Sequence, residues 1–275
     1  VQVGAQRAGI IGGGGGILAI IDTIGYREAF FLMAFMLALL TLPVLGLREP
    51  ARAPRPRTPH TSIARSSAEL IRSFLERPDA RSVLRLLFLF KVGDALAAGM
   101  VSRWYVKQGL SNAQIALTRG TAGGVAAIAG AAAGGLALRA FGARRALFAT
   151  ASLQTCAIAM YLVADIFHPS GAGTMKMAVY TGLSIVEHAL GGAATAALFA
   201  WMMDHCREES RATDYTVQAC LLVVVTGIGI FTSGFIVGAI GLRGLFATAT
   251  LLGLLAPIAV VSYARSDGAR VGAGL

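Results

Sequence analysis

Long apolar stretches constrain the fold of this chain more than any other feature of its sequence. Each is 19 to 28 residues long, and eight can be delimited: 3–21, 28–47, 83–105, 113–137, 146–166, 176–203, 217–240 and 244–263. A helix of about 20 apolar residues crosses a hydrocarbon layer roughly 30 Å thick and satisfies its own backbone hydrogen bonds there. We therefore predict an all-α polytopic membrane protein with about eight transmembrane helices.

Composition excludes several other classes. Hydrophobic residues make up 56% of the chain and charged residues 14%, against roughly 25% charged residues in soluble domains. The net charge of +10 would suggest nucleic acid in a soluble protein, but the basic residues gather at one set of helix ends, which favours anionic lipid. Three widely spaced cysteines and four histidines predict no disulfide framework, no metal site and no cofactor.

The distribution of basic residues predicts the orientation. Fifteen lie in 48–81, 138–145, 204–214 and the last eleven residues, whereas the alternate connections hold only Arg27, Lys107, Lys176 and Arg243. Short cytoplasmic connections carry the excess of Lys and Arg. We expect the fifteen-residue side, including both ends of this chain, to face the cytoplasm.

Segment 48–82 divides the chain, because it contains eight arginines and five of the eight prolines. Two predicted helices precede it (1–47), six follow (83–264), and 265–275 is a tail. Within it, Ser66 and Glu69 form a capping-box pattern, and Ile71 and Phe74 lie on one apolar face, which predicts a short helix on the inner membrane surface. A disordered linker is the alternative.

Two plus six helices around a basic loop resembles the layout of major facilitator transporters, in which two six-helix halves are related by pseudo-symmetry. A second resemblance is to the inner-loop signature of that superfamily, carried here by Gly135, Arg139, Gly142, Arg144 and Arg145. Arg139 stands where the signature has aspartate, so a gating pair built on that aspartate is not expected. The resemblance implies a major facilitator fold of twelve helices, of which the first four would precede this chain.

Two further motifs resemble a narrower group. The sequence Phe90-Lys-Val-Gly-Asp-Ala95 is similar to a stretch that opens the second half of AmpG-type muropeptide permeases, and 187–215 resembles two later helices of the same group. The amino-acid sequences of 197–199, 202–204 and 213–218 are more similar to those of a sister branch that imports ferric siderophores of the rhizobactin and pyochelin kind.

The resemblance implies a secondary active transporter of the bacterial inner membrane that imports a siderophore by proton-coupled alternating access, with muropeptide import as the alternative. The expected partners are a small-molecule solute, protons and the lipid bilayer, without nucleic acid, and we expect a monomer. The rival class is a membrane enzyme acting at Asp204, His205, Cys206 and Asp214. These residues match no recognisable motif, so we predict no catalytic residues and no enzyme.

Charged residues within the apolar stretches are the candidate site, because charges inside a bilayer usually face a cavity or a partner. Lys91 and Asp94 lie three residues apart on one helix face. They can bind an anionic group of the solute or relay a proton, or they can form a permanent structural pair.

Glu187 and Arg119 are the other two candidates for the solute or proton pathway. Since adjacent helical residues point about 100° apart, we expect only one of Glu187 and His188 to face a central cavity, and we choose Glu187. The alternative for Glu187 is a protonated carboxyl group bonded to a neighbouring helix, and His188 is expected to be structural. Arg119 can recognise a carboxylate or reach the outer surface, whereas Arg103 is expected at the interface.

Glycines recur within the predicted helices at 12–16, 120–124 and 134–135. No Lys-Ser or Lys-Thr follows the first run, so it is not a phosphate-binding loop. Small residues at these spacings let membrane helices approach closely, and we predict that they form helix–helix contacts.

Overall fold

The computed structural model describes residues 16–46, 71–167 and 174–272, together with residues 9, 13 and 69. This described part is helical, with short turns and no β-strand, so the protein is an all-α polytopic membrane protein as predicted. Its α-helices are α1 (Ile17–Ile24), α2 (Tyr26–Leu45), α3 (Ala80–Lys107), α4 (Asn112–Ile115), α5 (Gly123–Phe141), α6 (Ala143–Phe167), α7 (Thr174–Asp204), α8 (Arg211–Gly253) and α9 (Leu255–Gly272). A π-helix (Ala116–Ala122) joins α4 to α5, and a 3-10 turn (Glu208–Ser210) precedes α8.

Five stretches of the described residues are long and apolar enough to cross a membrane: Tyr26–Pro43, Asn112–Phe141, Ala143–Phe167, Met175–Asp204 and Glu208–Ala264. The last has 57 residues, about 85 Å of helix at 1.5 Å per residue, which is far more than one crossing requires. Gly241 divides it, because its φ of +73° reverses the chain. The two parts correspond to the predicted stretches 217–240 and 244–263.

Helix α3 is 28 residues long but lies outside these five, because Arg85, Lys91, Asp94 and Arg103 follow one another at short intervals. It nevertheless packs along α8 and lies inside the bundle. Its polar middle is therefore buried in protein rather than in lipid, which is the arrangement that makes intramembrane charges tolerable.

Two differences from the predicted boundaries concern helix ends. The last helix was predicted to stop near residue 263, but α9 continues to Gly272. In the central segment, residues 48–68, including Ser66 of the capping box, lie outside the described residues. Residues 71–75 are helical, as predicted, but Phe74 is fully buried in the apolar core instead of lying on a membrane surface.

Close backbone contacts hold α5 against α7. A Cβ atom added to Gly134 would lie 2.5 Å from the carbonyl oxygen of Ala193, and one added to Gly130 would overlap the carbonyl group of Ala189. From the other side, a Cβ on Gly192 would overlap the carbonyl group of Ala127. The predicted packing role is thus confirmed for Gly134, whereas Gly135 faces open space and most of the run 12–16 lies outside the described residues.

Two apolar clusters mark the two ends of the bundle. At the end that carries residues 77–81, 139–145 and 204–214, here called the basic end, the cluster includes Phe74, Leu87 and Trp201. At the opposite end lies the aromatic cluster, whose members are almost fully buried and meet mainly edge to face: Trp104, Tyr105, Tyr161, Tyr180 and Phe246. On the outside of the bundle, Phe231 and Phe235 are more than two-thirds exposed, as expected of a surface that faces lipid.

The α5–α7 contact leads to a stability prediction. Gly130→Ala should lower the free energy of unfolding by about 1–3 kcal/mol, because the new methyl group meets a backbone carbonyl that cannot move without shifting the helix. Gly135→Ala, the same change in the same helix at a position with open space, should leave stability unchanged or slightly raised. Thermal unfolding of the purified protein in detergent measures both, and equal midpoints for the two variants would contradict the close contact.

Candidate solute-binding cavity

A half-open cavity of about 640 Å³ lies among the helices of the bundle, between the two ends. Its walls come from α3, the π-helix, α6, α7 and α8. All four predicted site residues line it, namely Lys91, Asp94, Arg119 and Glu187. It is also lined by residues that the sequence analysis did not select: Phe90, Gln154, His188, Gly191, Thr195, Phe199, Thr226 and Ile230. The roles of these residues in transport remain predictions.

The first polar group in the cavity is centred on Asp94. Lys91 forms an ion pair with Asp94 Oδ2 on the same face of α3, as their spacing predicted. From α6, Gln154 Nε2 donates a hydrogen bond of 3.0 Å to Asp94 Oδ1. Each carboxylate oxygen thus has one donor, and both Lys91 and Asp94 keep about a quarter of their side-chain surface exposed.

Gln154 was missed by the sequence analysis, although an amide in the apolar stretch 146–166 is a visible signal. It is 7% exposed, and its Oε1 atom has no hydrogen-bond partner among the described residues. The oxygen lies over Gly191 of α7, where an added Cβ would be only 3.3 Å away. Most buried acceptors in proteins have a hydrogen-bond partner, so this oxygen stands out among the groups around the cavity.

The second polar group is centred on Glu187 of α7. Its Oε2 atom accepts a hydrogen bond from the Tyr161 hydroxyl at 3.4 Å, lies 2.6 Å from His188 Nδ1 and forms an ion pair with Arg119 Nη1 at 3.6 Å. Arg119 Nη1 also donates to the Tyr161 hydroxyl at 3.1 Å, and its guanidinium carbon lies 5.7 Å from the centre of the Tyr105 ring. The arginine therefore faces the cavity and the aromatic cluster, and the alternative of reaching the outer surface is wrong.

The π-helix places Arg119 in this position. It is a local widening of the helix that sequence patterns do not reveal, and such segments are frequent at functional sites. Arg103 and Arg85, by contrast, have exposed side chains near opposite ends of α3.

The expectation that only one of Glu187 and His188 faces the cavity is wrong, because both line it. The His188 ring folds back along α7, where Nδ1 contacts Glu187 Oε2 and the Ser184 carbonyl oxygen at 2.9 Å. Both neighbours are acceptors, so Nδ1 carries the proton. The glycine at position 123 provides the space for the ring, since an added Cβ there would lie 2.9 Å from it.

Comparison with known proteins identifies the family of this bundle. Residues 1–217 match the family model described as Major Facilitator Superfamily. The chain belongs to the major facilitator superfamily. Its membership agrees with the membrane-spanning helices of the bundle, and the family favours the expectation of a transporter over that of an enzyme.

Individual relatives indicate which group within the superfamily this chain is similar to. The chain is 27% identical over 228 residues to the anhydromuropeptide permease of Escherichia coli K12, covering 82% of this chain and 44% of that protein. It is 24% identical over 253 residues to a putative transporter AmpG 4 of Rickettsia felis, covering 90% and 59% respectively. The chain thus spans about half the length of these relatives. They support the AmpG-type resemblance and give no support to the siderophore-importer branch.

The signature-like residues of this superfamily member form the turn between α5 and α6. Gly142 makes the turn with a φ of +77°, a conformation that favours glycine, and its N–H donates to the Leu138 carbonyl oxygen at 3.0 Å. Arg139, Arg144 and Arg145 are exposed beside it. The exposed position of Arg139 agrees with the departure from the usual aspartate.

A buried carboxylate organises the basic end. Asp214 is fully buried and accepts from Arg207 Nη2 at 2.7 Å and from Arg77 Nη1 at 3.2 Å. The hydrogen bond to Asp214 raises the pKa of Arg207 above its ordinary value. Arg207 also reaches Ser73, so the pair ties the segment before α3 to the connection between α7 and α8.

The residues of the rival enzyme hypothesis do not converge on a reaction centre. Asp204 is exposed, the His205 ring stacks on Trp201 with centroids 4.0 Å apart, and Asp214 is occupied by its two arginines. Burial raises the pKa of the Cys206 thiol, which disfavours the nucleophilic thiolate.

A corresponding carboxylate lies at the opposite end and was not foreseen. Asp165 of α6 is 2% exposed and accepts from Trp104 Nε1 at 3.0 Å and from Arg243 Nε at 3.3 Å. Arg243 follows the reversal at Gly241, so this ion pair fixes the returning part of α8 to α6. The signal in the sequence is a single aspartate near the end of the apolar stretch 146–166. The sequence analysis counted only basic residues near the helix ends and therefore did not consider it.

The basic end supplies a stability prediction. Asp214→Asn should lower the free energy of unfolding by about 2 kcal/mol. This is less than the roughly 3–5 kcal/mol for breaking a fully buried pair, since Arg77 and Arg207 remain partly exposed. Asp204→Asn is the matched control and should have no effect, because its side chain is exposed. Detergent-solubilised protein and a thermal or chemical unfolding curve suffice, and equal stability of the two variants would contradict the assigned role.

Proposed function

We propose that this major facilitator protein imports a muropeptide across the bacterial inner membrane by proton-coupled alternating access. The observation that carries the proposal is the cavity between the two ends of the bundle, lined by two separate ion pairs on α3 and on the π-helix and α7. The sequence motifs favoured a siderophore as the solute. The relatives that carry permease names point instead to the muropeptide alternative, which we therefore place first.

The chemistry of the cavity supports a solute that is part sugar and part peptide. Its volume of about 640 Å³ lies within the roughly 300–1,000 Å³ of typical small-molecule sites. Charged groups and the amide of Gln154 can bind carboxylates, amines and amides, while Phe90, Phe199 and Ile230 offer apolar surface to sugar rings. An iron chelate offers a different, compact and metal-centred surface.

Asp94 is the residue we propose for proton coupling. Its two oxygens have one donor each, and it is partly exposed to the cavity, so a proton can reach it. Protonation would remove the attraction that holds Lys91 and free the ammonium group for a carboxylate of the solute. Because an unpaired charge at this depth is costly, the proton and the solute charge would exchange with each other.

This proposal predicts how three variants behave. Each variant is made in the protein that the whole gene encodes. Asp94→Asn should reduce uphill uptake at least about tenfold, the scale on which losing one charged interaction of roughly 1.5 kcal/mol acts. Lys91→Ala should also be impaired, because it leaves a carboxylate without its cation. Adding Asp94→Asn to Lys91→Ala should restore folding and downhill equilibration but not accumulation. Uptake of a radiolabelled anhydromuropeptide into vesicles against an imposed pH gradient measures all three.

The outcomes separate a coupling role from a structural one. A double variant that concentrates solute as well as the wild type would show that the pair is only structural. Wild-type accumulation by the Asp94→Asn variant alone would exclude this residue as the proton acceptor. If the protein takes up a ferric siderophore and not the muropeptide, the siderophore is again the assigned solute.

The excess of arginine supports a cytoplasmic position for the basic end, which we also propose. In a variant with Cys156, Cys206 and Cys220 replaced by serine, Arg144→Cys should react with an impermeant maleimide only from the cytoplasmic side. Ala113→Cys, at the start of α4 and exposed, should react only from outside. Labelling of right-side-out and inside-out vesicles gives the comparison, and modification of both positions from one side would contradict the alternation of helices.

A further inference from the structure

The Glu187 group leaves specific atoms of an ion pair open to the cavity. The contacts of Glu187 with His188, Tyr161 and Arg119 all fall on Oε2, and the Arg119 guanidinium group meets Glu187 and the Tyr161 hydroxyl through Nη1. Among the described residues, the buried side-chain atoms without a partner are Gln154 Oε1 and Gln218 Oε1. Glu187 Oε1 and Arg119 Nε and Nη2 are therefore not enclosed, and they reach the open space that both residues line.

The surrounding groups hold this carboxylate in a fixed position. Arg119 is permanently charged, and its Nη1 atom forms the ion pair with Glu187 Oε2 at 3.6 Å. The Tyr161 hydroxyl donates to the same oxygen, and His188 Nδ1 lies 2.6 Å from it. We therefore assign Glu187 to holding a solute and keep Asp94 as the residue for coupling.

The two sets of open atoms suit groups of opposite charge. Nε and Nη2 of Arg119 are donors in the planar arrangement that matches a carboxylate, and the ring of Tyr105 beneath the guanidinium group holds its plane. Glu187 Oε1 is an acceptor that suits an ammonium group. The pair is neutral as a whole, so a lone anion or a lone cation would leave an uncompensated charge inside the bundle, but a zwitterion would not.

We propose that Arg119 and Glu187 together bind the zwitterionic amino-acid end of the solute, with its carboxylate on Arg119 and its ammonium group on Glu187. The assignment rests on the proposed function, since it names the part of the muropeptide that this pair recognises. A peptide that ends in a diamino diacid carries such an ammonium and carboxylate on one carbon. Lys91 and Asp94 remain free for coupling, so recognition and proton movement use different ion pairs of the same cavity.

The experiment compares four forms of one anhydromuramyl tripeptide with a terminal diamino diacid: unmodified, acetylated on the free amine, amidated on the adjacent carboxylate, and blocked at both. Binding to the purified wild-type protein in nanodiscs is measured by calorimetry. Each single block should weaken binding about ten- to hundredfold, the effect of one hydrogen bond between charged groups.

Two variants assign each charge to its partner. Glu187→Gln should bind the unmodified solute more weakly and lose most of its discrimination against the acetylated form, while still discriminating against the amidated form. Arg119→Gln should show the reverse pattern. A residue that only stabilises the fold would weaken all four forms alike. Arg103→Gln and Glu208→Gln are the matched controls, exposed and outside the cavity, and should respond like the wild type.

Each outcome decides the question. Equal binding of all four forms by the wild type would overturn the zwitterion site while leaving muropeptide transport standing, and this comparison needs no variant to fold. Variants that keep both discriminations would also overturn it. If the wild type binds none of the four forms, the proposed solute class and this assignment both fail.

Discussion

The need to pair every charge that enters the membrane determines how this bundle is assembled. Asp94, Glu187, Asp165 and Asp214 are each buried or half-buried, and each meets a lysine or arginine. Three of these pairs join different helices or connections. The charges are paired because an isolated ion would cost several kcal/mol in a medium of low dielectric. The ion pairs at the two ends fix how the helices are connected, while those in the middle face the cavity.

Glycine makes this pairing possible by bringing helices close together. The backbones of α5 and α7 touch at Gly130, Gly134 and Gly192, where no side chain intervenes. This contact brings the π-helix with Arg119 next to Glu187 on α7. The same principle acts between α3 and α8, where an added Cβ on Gly93 would lie 2.6 Å from the Gly253 nitrogen. Close packing of this kind is a source of attraction between membrane helices, in which the hydrophobic effect contributes little.

The arrangement of the cavity gives its two ion pairs different properties. Lys91 and Asp94 share one helix, and the amide of Gln154 is the contact that Asp94 makes with another helix. Arg119 and Glu187 come from two elements and contact Tyr161, Tyr105 and His188, of which the two tyrosines belong to the aromatic cluster at the opposite end. The first pair is thus positioned mainly by one helix and the second by several elements.

The sequence by itself determined the membrane class, the positions of most helices and the four charged residues of the cavity. It did so because a bilayer imposes length and polarity on each segment separately, so a charge such as Asp94 or Arg119 stands out in its own stretch. It did not reveal Gln154, Tyr161 or Asp165 as partners, and it misjudged His188, because side-chain direction depends on rotamers and on neighbouring helices as well as on helical periodicity. Apart from the Lys91–Asp94 pair, which its spacing predicted, the partner of each carboxylate was decided only in the tertiary structure, by the π-helix at Arg119, the reversal at Gly241 and the glycine contacts that set the distances between helices.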